Sequence, residues 1–371
     1  MLKQNNEYQS ILNDKFPADG IVLYAKQSGI TSFTSLWAIK HALNTSKVGH
    51  TGTLDNFADG LLVVLSNRMT KFVSHITDFD KTYEAIVKLG EETDTLDRDG
   101  NIIKTAAIPS EKEFMEAAKS FVGEIDQFPP VYSAIQIKGQ RASDLIRQGK
   151  TVEVKSRRVE IYENIVVELK MPYVHLRIKC SKGTYIRSLA RDIAYKCNSV
   201  AHLVSLRRTS VGPFLLKDAV GYNKLPQFCL SNIEKLMEKI ASPSLIEEPE
   251  KEEIQNATKH FTPEIAKQCG FNVLILKHEF YEDFLSGRPV NINAFEPFNL
   301  EWKKELIVFA YENSARKKFD IPRLCGMINI NGKRAKYIFV IQDDKPLIKR
   351  VNHKKPKNKA AKIKKNVSEC L

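Results

Sequence analysis

Between Gly49 and Leu65 the chain reads GHTGTLDNFADGLLVVL, a polar, glycine-rich loop joined directly to an apolar run. The run Leu61 to Leu65 has to be buried, and burying it fixes the loop ahead of it against a core. That loop holds His50, Thr51, Thr53, Asp55 and Asp59. A rigid anchor is what a working carboxylate requires, which makes Asp55 the first candidate for chemistry. On spacing alone, an aspartate here reads equally well as a cap on the following turn.

The flanking pattern mixes strands and helices. Gly20 to Tyr24 reads as a strand. Thr31 to Leu43 places Phe33, Leu36, Trp37 and Leu43 at helical spacings, with Thr31 or Ser32 as cap. Tyr83, Ala85, Val87 and Leu89 alternate with Glu84, Ile86 and Lys88, which predicts a strand over 80–90. Ser110 and Glu113 make a capping box for a helix through Phe114, Ala118, Phe121 and Val122. Phe128-Pro-Pro130 breaks the chain, and Val131 to Gly139 reads as a further strand. Val174, Leu176, Ile178 and Cys180 alternate toward a turn at Ser181-Lys-Gly183, followed by a helix with Ile186, Leu189, Ala190 and Ile193 on one side. There is no regular βαβ repeat and no glycine-rich phosphate loop, so the predicted class is α+β.

Composition changes after Ile240. The expected organisation is one domain over 16–240, a Pro- and Glu-rich linker over about 241–258, and a small, mainly β domain over 259–350. Strands of the second domain are predicted at Asn272 to Leu276, Glu305 to Ala310 and Tyr337 to Ile341. The lysine-rich segment 351–371 is expected to be a disordered arm with affinity for RNA.

Charge points toward a polyanionic partner. Lys and Arg number 57 against 44 Asp and Glu, for a net charge of +13, and each cation placed on a phosphate releases a condensed counterion. Six scattered cysteines without a C-x-x-C pair argue against a zinc site or a disulfide scaffold, and no histidines pair at i, i+4. No apolar run reaches the roughly 18 residues of a membrane helix. The polar N-terminus lacks the middle of a secretory signal. A soluble cytoplasmic protein is expected.

Arg187 falls in the first turn of its helix, where the helix dipole disfavours a cation, so a fixed anionic partner is expected. Tyr185 reads either as a pocket residue or as a core aromatic. Thr93-Asp-Thr-Leu-Asp97-Arg-Asp99 invites a calcium-loop reading, but Ala106 stands where such a loop needs a bidentate Glu. An acidic turn between strands is the better account.

Together these segments resemble the TruB-type tRNA pseudouridine synthases. The resemblance rests on Gly49-His-Thr-Gly-Thr-Leu-Asp55, Lys81-Thr-Tyr83-Glu-Ala, Thr93-Asp-Thr, Pro130-Val-Tyr-Ser-Ala134, Gln148-Gly149, Ser181-Lys-Gly-Thr-Tyr-Ile-Arg187 and Ala201-His-Leu-Val-Ser-Leu-Arg-Arg208, in the family's order. It implies an α+β pseudouridine synthase fold around a mainly antiparallel sheet flanked by helices. It further implies an RNA-clasping insertion near 127–155 and a C-terminal domain of degenerate PUA type. The implied reaction isomerises the T-loop uridine of transfer RNA to pseudouridine. It consumes no redox equivalent or group donor, so no cofactor or metal is expected. The implied roles are Asp55 as essential carboxylate, Tyr83 stacked on the flipped base, Arg187 paired with the aspartate, Tyr185 and Leu206 as pocket walls, and His50 against everted T-loop nucleotides. The implied partner is the T-arm of transfer RNA, bound by a monomer with no obligate protein partner. A non-catalytic RNA-binding module of the same fold is the alternative, and it predicts loss of the Asp, the Tyr or the Arg. Two positions depart from the family: Asn56 replaces the usual proline, and Asp59 replaces Ser or Thr. Asp59 is expected to point away from Asp55. Gln27 stands where proline usually follows the early lysine, so no role is assigned to Lys26.

Overall fold

The computed structural model describes residues 19–132, 136–137, 140–141, 155–238, 249–299, 301–302, 305–311 and 322–342. The chain opens with β1 (Ile21–Lys26), α1 (Ser32–Ala42), β2 (Val48–His50), β3 (Asp59–Ser66), α2 (Val73–Thr77), β4 (Lys81–Leu89), β5 (Glu91–Thr93) and β6 (Ile102–Thr105). It continues through α3 (Glu111–Lys119), β7 (Gly123–Gln127), β8 (Gln136–Ile137), β9 (Gln140–Arg141), β10 (Arg157–Lys170), β11 (Tyr173–Cys180), α4 (Ile186–Lys196), β12 (Ala201–Val211) and β13 (Phe214–Leu215). The last part holds α5 (Ile233–Met237), α6 (Lys251–Ala257), α7 (Pro263–Gln268), β14 (Asn272–Leu276), α8 (Tyr281–Leu285), β15 (Leu306–Ala310), β16 (Arg323–Asn331) and β17 (Arg334–Val340).

A nine-stranded sheet runs in the order β1-β3-β12-β4-β11-β10-β7, with β2 on β3 and β13 on β12. It is antiparallel except where β3 runs parallel to β12. This is the predicted mixed class with helices on a mainly antiparallel sheet. The β3–β12 join needs glycine. Gly60 has φ +111, and a Cβ there would lie 2.5 Å from the Arg208 carbonyl oxygen.

Strand register decides which helices share a face. Arg208 pairs with both Gly60 and Tyr83, and side chains alternate along a strand. Leu62 and Val64 therefore share a face with Tyr83, Ala85, Val87 and Leu89. Helices α3 and α4 cover that face over β4, β11 and β12, and α1 covers it over β1 and β3. The loop holding Leu54 and Phe57 is packed between them.

The opposite face of β1 and β3 packs on a second sheet, β14-β15-β16-β17. Phe72 sits at the centre of this joint, fully buried, with Phe261 and Phe339 at ring distances of 4.8 and 5.0 Å. Lys71 Nζ caps the joint, donating to the Val340 carbonyl at 2.6 Å. No helix among the described residues is long and apolar enough to cross a membrane.

Several expectations need correction. Residues 251–257, read as linker, form helix α6, because Glu250 and Glu253 make a capping box and Ile254 is buried against α1. Val131 and Tyr132 lie in a bend after the two prolines, and strand structure in that segment is described only at Gln136–Ile137 and Gln140–Arg141. Phe33 and Trp37, counted in the helical pattern, face solvent, since the buried side of α1 is formed by Leu36, Ile39 and Ala42. Strand β16 has no counterpart in the sequence reading. Most of the expected clasp, with Gln148 and Gly149, and the lysine-rich tail lie outside the described residues.

Candidate active site

The Asp55 loop is held by its own backbone. Ser32 Oγ accepts from the Leu54 N–H at 2.8 Å and donates to its carbonyl at 3.0 Å. The Gly29 N–H donates to the Asn56 carbonyl at 2.8 Å, and Ser28 Oγ to that of Phe57 at 2.8 Å. Lys26, fully buried at the end of β1, donates to the carbonyl of Ala58 at 2.6 Å. Burial pulls the Lys26 ammonium down to about 7, against the opposing attraction of Asp59 and Asp55. The stretch from the end of β1 to the start of α1 thus bonds the carbonyls on both sides of Asp55. Asn56, in place of the usual proline, is exposed and held through its backbone.

With the loop fixed, the Asp55 carboxylate meets Arg187. Nη2 of Arg187 donates to Oδ1 at 3.2 Å, and Nε lies 3.0 Å from Oδ2. Arg187 is 4% exposed, whereas the side chain of Asp55 keeps 37% of its surface open. The remaining guanidinium donors are all used inside the protein: Nη1 meets Asp97 Oδ2 at 3.0 Å and the Thr95 carbonyl at 2.7 Å, and Nη2 also reaches the Tyr132 carbonyl at 3.1 Å. The helix-start cation therefore has two anionic partners. Asp97 sits in the acidic turn between β5 and β6. Burial pushes its carboxyl above the usual range, while Arg187 opposes the shift.

Arg208 organises the other side. It is 1% exposed, and it donates from Nε to the Leu61 carbonyl at 2.8 Å and from Nη2 to the Gly52 carbonyl at 3.0 Å. Its cation also lies near the Tyr83 phenol, whose pKa is raised first by burial, with Arg208 pulling the other way. Tyr83 is thus a neutral hydroxyl at physiological pH. His50 accepts from the Gly52 N–H through Nδ1 at 3.3 Å. Burial, then Arg208, lowers its pKa, so the ring is neutral with its proton on Nε2.

Leu206, 5% exposed, packs in the same core as Leu54, Phe57 and Tyr83. Tyr185 caps the helix bearing Arg187. Its backbone is fixed by Gln127, through Nε2 to its carbonyl at 3.1 Å and Oε1 from its N–H at 2.8 Å. The Arg157 guanidinium covers its ring at 4.5 Å. Asp55 and Arg187 are therefore in direct contact. His50 is tied to the loop through the Gly52 N–H, Tyr83 lies near Arg208, and Leu206 and Tyr185 are neighbours that make no hydrogen bond to the ion pair. Asp59 turns to the opposite face, where it pairs with Arg207 through two contacts of 2.6 Å.

Lys26, Asp97 and Arg208 were missed. Lys26 was legible as a charge ending an otherwise apolar strand, and Asp97 as a carboxylate of the acidic turn that the calcium-loop reading left without a role.

Comparison with known proteins follows the same residues. A model of the TruB family pseudouridylate synthase N-terminal domain matches residues 40–186. A tRNA pseudouridine synthase B of Treponema denticola is 40% identical over 352 residues, covering 87% of this chain and 98% of the relative. The chain belongs to the TruB family. Another TruB-family relative, the tRNA pseudouridine synthase B of Borreliella burgdorferi, is 45% identical over 221 residues, which is 59% of this chain and 78% of the relative. Among solved structures, a Cbf5-Nop10-Gar1 complex aligns with TM-score 0.57 at 22% identity, covering 88% of this chain and 85% of that one. An archaeal box H/ACA Nop10-Cbf5 complex gives TM-score 0.58 at 21% identity, with 89% and 88% covered. At this identity the two structures establish the fold the TruB-family chain shares with them.

Proposed function

We propose that the chain isomerises uridine to pseudouridine at position 55 in the T-loop of transfer RNA, with Asp55 as the acting carboxylate. The observation that carries this reading is the paired Asp55 and Arg187: a half-open, ion-paired carboxylate on a backbone-clamped loop, in a chain of the TruB family. Isomerisation breaks the N1–C1′ bond, turns the uracil and joins C5 to C1′. An ionised carboxylate serves this chemistry by attacking the sugar or by taking a sugar proton to give a glycal. Arg187 holds the Asp55 carboxylate in place in either route.

The target base lies inside a folded loop and has to be flipped out to reach a carboxylate in a cleft. Tyr83 is the residue to stack on it, with its neutral phenol near the proton that leaves C5. Leu206 and Tyr185 are the walls, the latter stiffened by Arg157. His50, neutral and able to donate from Nε2, is placed to hold displaced nucleotides of the same loop. The partner is the T-arm, and a monomer working in the cytoplasm is the simplest form.

Pseudouridine mapped by nucleotide in unmodified transfer RNA, with wild type and Asp55→Asn, tests the reading. Product at the T-loop uridine with wild type, and none with a variant that still binds RNA, supports it. A folded wild type that binds the RNA and forms no product would establish a binding module instead.

A further inference from the structure

Helix α1 has a second side that the reaction does not use. Phe33 and Trp37, one helical turn apart, are 73% and 67% exposed. Lys40 Nζ lies 5.1 Å from the centroid of the Phe33 ring. The His41 ring stacks on Trp37, with centroids 5.4 Å apart and planes 10° from parallel. Two large rings held open to water on one helix mark a contact surface rather than scattered apolar residues.

Charge selects the partner. From Lys26 to Leu54 the chain carries no carboxylate, while Lys40, His41 and Lys47 lie on or just beyond α1. Rings interleaved with cations are the composition of surfaces that stack unpaired bases and follow a phosphate backbone. Position supports the same partner. Helix α1 covers the sheet face that bears Tyr83, and Ser32 at its start is bonded to Leu54, the neighbour of Asp55. The helix that carries the two rings is therefore anchored to the loop that carries Asp55.

We propose that this side of α1 is a docking surface for the RNA substrate outside the pocket, with an unpaired base stacked on Trp37 and a phosphate beside Lys40. The proposal depends on the isomerase reading only for which RNA is bound. The two rings are exposed, so replacing them leaves the core untouched.

Trp302→Phe leaves Trp37 as the only tryptophan of the two in the chain. In that background, unmodified transfer RNA is expected to quench the fluorescence. Phe33→Ala with Trp37→Ala is expected to raise Kd and KM by about fivefold or more, with kcat at saturating RNA unchanged. Trp37→Phe, which keeps a stacking ring, is expected to restore most of the affinity. Absence of quenching together with an unchanged Kd overturns the proposal. So does a concentration-dependent dimer that the double substitution abolishes, because the face would then belong to a second copy of the chain. Pseudouridine formation with neither quenching nor a change in Kd refutes the docking surface alone, and quenching by a protein that forms no pseudouridine refutes the isomerase reading alone.

Discussion

Asp97 holds Nη1 of Arg187 at 3.0 Å, while the Nε and Nη2 edge of the same guanidinium faces Asp55, with Nη2 shared with the Tyr132 carbonyl. One buried cation is thereby divided between a sealed carboxylate and a half-open one. The sealed partner fixes the plane of the guanidinium, and that plane sets the direction of the Asp55 carboxylate.

Asp97→Asn keeps the shape but weakens this anchor. Turnover is expected to fall about tenfold to a hundredfold, with RNA affinity within about twofold, since misorientation acts on the reacting geometry. Single-turnover kinetics at saturating RNA measures it. An unchanged rate would show that Asp55 and the Thr95 and Tyr132 carbonyls orient Arg187 without the Asp97 charge.

Tyr83 bears on the proton rather than on affinity. Tyr83→Phe retains the ring, so RNA binding should hold while turnover drops on the order of a hundredfold, the usual weight of one proton-transfer group. Because the phenol is raised above its ordinary range, the wild-type rate should show no inflection from Tyr83 below pH 9. A pH–rate profile of both proteins reads out the two claims.

Asp59 and Arg207 form a closed pair, 4% and 5% exposed, and the Pro226 carbonyl takes a further donor of Arg207 at 2.8 Å. Asp59→Ala leaves a buried cation with one neutral acceptor, and a loss of about 3–5 kcal/mol is expected. Asp59→Ala with Arg207→Met should recover most of that loss. Urea unfolding of the two variants decides it, and equal destabilisation by both would mean that packing matters more than charge.

Lys26 makes stability depend on pH. Its folded pKa, about 7, is lowered from 10.5, so between these values the unfolded chain binds the extra proton. Stability contributed at this site is then absent below about pH 7 and grows as pH rises toward 10, by at most about 1.4 kcal/mol per unit. The stability gap between wild type and Lys26→Met should widen from pH 6.5 to 9. A gap that is flat or narrows over this range would mean that the Gln27, Asn56 and Ala58 carbonyls near Nζ keep the ammonium charged.

What the sequence made legible is what depends on neighbours along the chain. The alternation through Tyr83 and Leu89 gave β4, the Ser110 and Glu113 box gave the start of α3, and Val174 to Cys180 gave β11. The six candidate residues came from the resemblance, which rests on short segments in a fixed order. The remainder lives in contacts across the fold. Asp97 meets an arginine from a distant helix, and Lys26 gains its meaning only when the Asp55 loop closes over it. Ile254 looked like an apolar residue in a polar linker until α1 provided a surface for it. The exposed side of α1 was hidden in the opposite sense, since Phe33 and Trp37 have the spacing of core residues and none of the burial.

The joint around Phe72 also sets an order of events on the ribosome. Its partner Phe339 follows 267 residues later in the chain. At ordinary synthesis rates that interval is on the order of 10–50 s. Throughout it, the cover on the back of β1 and β3 is incomplete, so the nascent chain has to be kept from sticking to others until β17 has emerged.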